Sequence, residues 1–310
     1  MIQLPCLNEA ETLPAVYKEI PQNIKDIGRI ETLVIDDGST DGTGDVARQL
    51  GVNHIIRFTN RKGLAKAFIT GIDASLKLGA DIIVNLDGDG QYDPQDIPKL
   101  IRPILEEKAD MVIGNRNVDK LSHFSFTKKK LQKLGSWVVR RISNTRVPDV
   151  TSGFRAFSRQ AALSINVISN FTYTLETLIQ AGSENVALAD VEVKARPVAR
   201  KSRLFKTISA YVKKSIATII RIYTMYKPLQ VFSFAAGIIF VIGILFFAKF
   251  LQFHIEGTGT RHIQYLIVSA VAMLLGFQTF MIGLVADLIA ANRKLVENTL
   301  RRVKNLELSK

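Results

Sequence analysis

At 310 residues the chain is long enough for one globular domain of roughly 200–230 residues plus an appendage. Its formal net charge of +13 would suit nucleic acid if it were spread through the fold, but the basic residues cluster in the second half, which favours an anionic membrane surface and no nucleic-acid partner. The single cysteine, Cys6, excludes an internal disulfide, and no spacing resembles a zinc site, so a secreted disulfide scaffold and a structural metal domain are both set aside.

The first residues, Ile2 to Leu4, read as a strand with neither a basic n-region nor a long apolar h-region, so no cleaved signal peptide is expected. That strand lies very close to the first residue, which leaves open a few residues upstream. Further strands are predicted at Thr32–Asp36, His54–Phe58, Asp81–Leu86, Met111–Asn115 and Val186–Val193, with helices near Glu11–Ile20, Asp41–Leu50, Leu64–Leu78 and Asp96–Lys108. Such alternation predicts an α/β domain with a mostly parallel sheet flanked by helices, whose active site lies at the carboxyl ends of the strands.

The chain then changes character. From Leu204 to Lys227, Phe205, Ile208, Tyr211, Val212, Ile216, Ile219, Ile220 and Tyr223 alternate with lysines and arginines. The pattern fits amphipathic helices lying along headgroups, or equally helices packed on the domain; their place just before a span favours the headgroups. About 20 apolar residues cross a bilayer, and two stretches qualify, 229–253 and 263–286, within a hairpin over 228–291 that precedes a basic tail, 292–310. Lys194, Arg196, Arg200, Lys201, Arg203, Lys206, Lys213, Lys214, Arg221 and Lys227 precede the first span, and Arg293, Lys294, Arg301, Arg302 and Lys304 follow the second, with only Arg261 between them. The positive-inside bias places both termini, and the domain 1–203, in the cytoplasm. Lys249 reads as a helix-end anchor and Asp287 as interfacial.

Two acidic clusters fall at carboxyl ends of predicted strands. Asp36, Asp37, Gly38, Ser39, Thr40, Asp41 and Gly42 follow the second strand, a composition that suits a ligand loop or simply a capped turn. Asp87, Gly88, Asp89, Gly90, Gln91 and Tyr92 follow the fourth, and hard oxygen ligands of this kind suit Mg²⁺ or Mn²⁺ holding a diphosphate. A calcium loop fits poorly, because the bidentate Glu of a twelve-residue loop is missing. His54, His123, His254 and His262 form no ligand set.

Taken in order, Pro5-Cys6-Leu7-Asn8-Glu9, Asp36 to Thr43, Asn60 to Gly63, Asp87 to Pro94, Gly114-Asn115-Arg116 and Thr151 to Arg155 resemble family 2 inverting glycosyltransferases of the GT-A fold, and within them the polyprenyl-phosphate hexose synthases. The resemblance runs from Met1 to about Ser202. It implies transfer of a hexose from UDP-glucose or GDP-mannose to a polyprenyl or dolichyl phosphate. It implies that Pro5, Glu9, Asp36 and Asp37 border the nucleotide; that Asp87, Asp89 and Gln91 hold the metal and the donor diphosphate; and that Arg116, Lys128, Ser202 and Arg203 receive the acceptor phosphate. Asp87, Asp89 and Arg116 are then the catalytic set. Leu7 stands where the family has tyrosine, Lys128 where an arginine is expected, and Arg200 where a glycine is. Two other readings are a processive or ceramide-type enzyme, whose Gln-x-x-Arg-Trp segment is missing around the only tryptophan, Trp137, and a non-catalytic nucleotide-sugar-binding membrane scaffold. Two spans enclose little of a long lipid, which leaves room for a homo-oligomer.

Overall fold

The computed structural model describes residues 1–117, 136–137, 139–140, 145, 147–167, 173–196, 216–217, 220–221 and 223–308. They group into two units, Met1–Ile219 with Leu300–Lys310, and Ile220–Thr299. The boundary at Ile219 falls inside the segment 204–227 predicted as interfacial helices, most of which lies outside the described residues.

The first unit is built on β1 (Ile2–Cys6), β2 (Thr32–Asp36), β3 (His54–Arg57), β4 (Ile82–Asn85), β5 (Met111–Asn115), β6 (Arg155–Ser158) and β7 (Leu188–Glu192), in one sheet of order β3-β2-β1-β4-β6-β5-β7. Every residue of β1 and β2 is buried, as expected of parallel strands covered on both faces. The covering helices are α1 (Leu13–Lys18), α2 (Thr43–Gln49), α3 (Leu64–Lys77), α4 (Ile97–Leu105), α5 (Arg159–Ser164) and α6 (Tyr173–Ser183). In α3 the apolar stripe Ala67, Phe68, Ile72 and Leu76 is buried. Gly71 lets this helix lie flush on the sheet: a Cβ there would run into Gln3 Oε1 and stand 2.8 Å from Ile35 Cδ1.

Among the described strands, only β6 runs against its neighbours, pairing antiparallel with β4 (Asn85 opposite Arg155) and with β5 (Met111 opposite Phe157). The sequence gives no strand here because Arg-Ala-Phe-Ser lacks a β-branched run. Because β1, β2, β4, β5 and β7 point one way and β6 the other, the loops after β1, β2, β4 and β5 and the segment before β6 share one edge of the sheet.

The second unit contains α7 (Pro228–Ile255) and α8 (Ile263–Leu308), joined through a 3₁₀ turn at Gly259–His262; the last residues of α8 group with the first unit. Both helices are long and apolar enough to cross a membrane. Small residues line their contact at seven-residue spacing, Ala236 and Gly243 on α7, Ser269, Gly276 and Gly283 on α8, and all are buried. A Cβ on Gly276 would sit 3.2 Å from the Ala236 carbonyl oxygen and one on Gly283 2.7 Å from Phe232 Cβ, so close backbone approach requires glycine. The outward residues Phe234, Leu245, Leu274 and Leu288 are exposed. The 292–310 tail is predicted as a separate segment, but α8 continues unbroken to Leu308, supported by an i,i+4 ion pair of Arg293 with Glu297 at 2.7 Å.

Candidate active site

The loops after β1 and β2 are tied together by short polar side chains. Ser39 Oγ accepts from Asn8 N (2.9 Å), Asn8 Oδ1 accepts from Thr40 N (2.8 Å), and Asp41 Oδ2 accepts from Ala10 N (3.0 Å). Asp36 is fully buried, with Oδ1 accepting from Ser39 N at 2.8 Å and Oδ2 3.3 Å from Arg57 Nε. Asp37 caps the chain entering α3, accepting from Lys62 N (2.6 Å) and Gly63 N (2.9 Å). Gly38, at φ +72°, passes so close to Asn60 and Arg61 that a Cβ would lie 2.7 Å from their backbone. The hydrogen bonds that both of these carboxylates, predicted to face the nucleotide, make are to backbone N–H groups of their own and the neighbouring loop. Pro5 is buried within β1 opposite Ile35. Glu9 is buried beside the β4 loop: its Oε2 accepts from Thr12 Oγ1 (2.8 Å), which also bonds the Gly88 carbonyl (2.9 Å).

Asp87 and Asp89 project from the loop after β4. Gly88 packs on β1, where a Cβ would stand 2.7 Å from Cys6 Sγ, so this glycine serves close approach rather than flexibility. Gly90 takes φ +72°, and Asp89 Oδ1 closes the turn by accepting from Gln91 N (3.0 Å). Burial raises the Asp87 carboxyl and the charge of Asp89 raises it further; Arg116, Asn85 and Arg155 pull against them, and the balance stands at about 7. Burial lifts Asp89 as well, opposed by the Gln91 N–H and Arg116. The loop is strapped from outside by residues after β7: Arg196 N donates to the Gln91 carbonyl (2.8 Å), and the Arg196 guanidinium pairs with Glu19 (2.7 Å) and Asp93 (3.2 Å). Arg196, counted from sequence among the cations flanking the membrane, is thus engaged in the catalytic-sized unit.

Arg116, after β5, is not a surface ion pair. It is buried, with Nε 2.7 Å from Asp149 Oδ2 and Nη2 donating to Asp149 Oδ1 (2.9 Å) and Thr151 Oγ1 (2.8 Å). Burial opposes ionisation of Asp149, but the Arg116 guanidinium more than offsets it and holds the carboxyl below its usual range. Asp149 was missed by sequence reasoning; its place two residues before Thr151 in a motif-bearing segment is the only signal. Glu176, a residue type that suits a solvated helix face, is fully buried in α6. Lys128, Ser202 and Arg203 lie outside the described residues.

The glycosyl transferase family 2 profile matches residues 2–165, more than half of the chain and the whole of this loop edge up to α5. The chain belongs to glycosyl transferase family 2. It is 27% identical to an undecaprenyl-phosphate mannosyltransferase of Micrococcus luteus over 70% of this chain and 91% of that protein. It is 30% identical to a UDP-N-acetylglucosamine–dolichyl-phosphate N-acetylglucosaminyltransferase of Methanococcus voltae over 62% of this chain and 83% of that one. Glucosyl-3-phosphoglycerate synthase of Mycobacterium tuberculosis, crystallised with Mn²⁺, UDP-glucose and phosphoglyceric acid, shares the fold at a TM-score of 0.58 and 22% identity, over 72% of this chain and 78% of that one.

In this glycosyltransferase the β4 loop fits a divalent cation. Asp87 Oδ1 is shut off from solvent without a hydrogen-bond partner among the described residues, and a bound cation would relieve two neighbouring carboxylates that both resist ionisation. No cluster of three or more His, Cys, Asp or Glu that could hold a metal occurs among the described residues. One or two carboxylates are the usual protein contribution where substrate phosphates and water complete the shell of Mg²⁺.

Proposed function

We propose that this glycosyltransferase moves a hexose, with inversion, from a nucleotide-sugar to a polyprenyl or dolichyl phosphate at the cytoplasmic face of a membrane. The observation that carries the reading is the pairing, at one sheet edge, of Asp87 and its orphaned oxygen with Asp89, with the buried cation Arg116 on the same edge and acting on both carboxyls. The two relatives named for polyprenol-type phosphate acceptors support the acceptor class. The apolar hairpin α7–α8, with cations on both outer flanks, supports the membrane and its cytoplasmic side.

In this reading Asp87, Asp89 and Gln91 hold Mg²⁺ or Mn²⁺ with the donor diphosphate. The ion supplies Lewis-acid stabilisation of the departing nucleoside diphosphate. Pro5, Glu9, Asp36 and Asp37 border the nucleotide, the two aspartates chiefly by fixing the backbone of residues 39 and 62–63. Asp149 and Thr151 hold the Arg116 fork in one plane, and Nη1, which has no hydrogen-bond partner among the described residues, is the group offered to an acceptor oxygen. Lys128, Ser202 and Arg203 join it there. A lipid phosphate is already an anionic nucleophile, so the protein has to bring two anions together rather than remove a proton.

Detergent-purified protein incubated with labelled UDP-glucose, GDP-mannose or UDP-N-acetylglucosamine, a polyprenyl phosphate and Mn²⁺ should pass label into the organic phase from one donor. Asp89→Ala should lower that transfer by at least about 100-fold. Nucleotide-sugar binding without transfer from any donor would instead favour the scaffold reading.

A further inference from the structure

We propose that Tyr173 and Gly153 are positioning residues that hold the Asp87 carboxylate in the orientation a divalent cation needs. The inference rests on the reading of Asp87 as a metal ligand. Beneath the β4 loop lies a polar network with no exposed member: Gln3, Asn85, Ser152, Arg155, Tyr173 and Thr177 are all buried. Gln3 Nε2 donates to Asn85 Oδ1 (2.8 Å), which fixes the amide so that Nδ2 faces the other way, donating to the Gly153 carbonyl (2.8 Å) and to Tyr173 Oη (2.9 Å). Tyr173 Oη in turn donates to the Gly153 carbonyl at 3.2 Å. Its ring stacks on Phe68 at 3.9 Å and 6°, so the hydroxyl cannot swing away.

Arg155 fixes the segment that carries Gly153. Its guanidinium has no carboxylate partner among the described residues; Nε donates to the Ser152 carbonyl (2.8 Å), Nη2 to the Val150 carbonyl (2.9 Å) and Nη1 to Thr177 Oγ1 (2.7 Å). Burial lowers its pKa to about 10, still a cation near neutrality, so a charge is kept in the core to clamp one turn of backbone. That turn sets Gly153 directly against the Asp87 carboxylate. A Cβ on Gly153 would collide with Asp87 Oδ2 and lie 2.9 Å from Tyr173 Oη. Asp87 is therefore walled on one side by the Gly153 backbone, which the Tyr173 hydroxyl holds in place, while its Oδ1 remains without a partner among the described residues. A core needs no hydroxyl at Tyr173, and a satisfied polar network under a ligand fixes that ligand's geometry.

The test uses full-length protein in detergent. Mn²⁺ binding in the presence of UDP or of GDP is read from the free-ion EPR signal, beside a melting curve and the Mn²⁺ dependence of transfer. Tyr173→Phe should melt near the wild type, bind Mn²⁺ about tenfold more weakly, and raise the half-saturating Mn²⁺ concentration for transfer by the same factor with most of kcat recovered at high Mn²⁺. Gly153→Ala, which pushes on the carboxylate directly, should weaken Mn²⁺ at least as much. Folded variants that bind Mn²⁺ as the wild type does would overturn the proposal. So would failure of both to fold, because the pair would then serve the core alone. Asp87→Ala with undiminished Mn²⁺ binding would instead sink the metal-site reading on which the proposal rests.

Discussion

Arg116 and Asp149 together illustrate how a buried ion pair behaves. Removing one partner strands the other in a low dielectric, and Asp149→Ala is expected to cost about 3–5 kcal/mol of stability, measured by denaturant unfolding of the detergent-solubilised protein. The Asp149 carboxyl is held below its ordinary value, so its contribution is present above the unfolded pKa of about 3.9 and is lost as pH falls through the lower folded value. Asp149→Asn should flatten the acid limb of the stability curve below about pH 4. Asp87 has the opposite sign. Its folded value of about 7 lies above the unfolded one, so protons would compete with the proposed cation there, and Mn²⁺ affinity should fall by up to about tenfold per pH unit below 7. Titrations of Mn²⁺ between pH 5.5 and 8 check this; an affinity flat across that range would contradict it. The place of Asp87 and Asp89 in a loop after a strand was legible in the sequence; an isolated D-x-D is common, and the order of the motifs around it is what singled this one out. The backbone bonds made by Asp36 and Asp37 were not, since a capped turn and a ligand loop use the same residue types.

At the level of elements, strands β1 to β5 stand within a residue or two of their predicted positions, because β-branched runs bounded by turn formers mark buried parallel strands. The exception is instructive: β6 carries Arg155 and Ser158 within four residues, and its strand state comes from pairing on both sides with β4 and β5. Tertiary pairing overrides weak local preference there. The helix hairpin shows the same division. Its spans follow from apolar length, whereas its packing depends on glycines whose role appears only when two helices meet. Gly276→Leu should force α7 and α8 apart at Ala236 and Phe240, with a loss of about 1–3 kcal/mol seen as a lower melting temperature in detergent.

For the whole molecule, the decisive quantity is which side of a membrane the sheet edge faces. The cation count on the outer flanks, against Arg261 alone between the spans, predicts the cytoplasm. The native Cys6 is buried, so single cysteines placed at Thr258 and Asn292 report without background. In intact cells an impermeant maleimide should label Thr258→Cys and leave Asn292→Cys unlabelled. The reverse pattern would put the catalytic edge on the outside and remove its access to cytoplasmic nucleotide-sugars.

The sequence alone determined the α/β class, the acidic loop after β4, the family and the two apolar helices, because each is written in local periodicity, turn chemistry or motif order. Only the tertiary structure decided that Arg116 is locked to Asp149, that Glu176 is buried, that Arg196 straps the β4 loop, and that Asn85, Gly153 and Tyr173 converge beneath Asp87. Arg196 reaches its partner Glu19 across 177 positions of chain, and Asn85 reaches Tyr173 across 88. Their meeting is a property of strand order and packing, which local patterns do not encode.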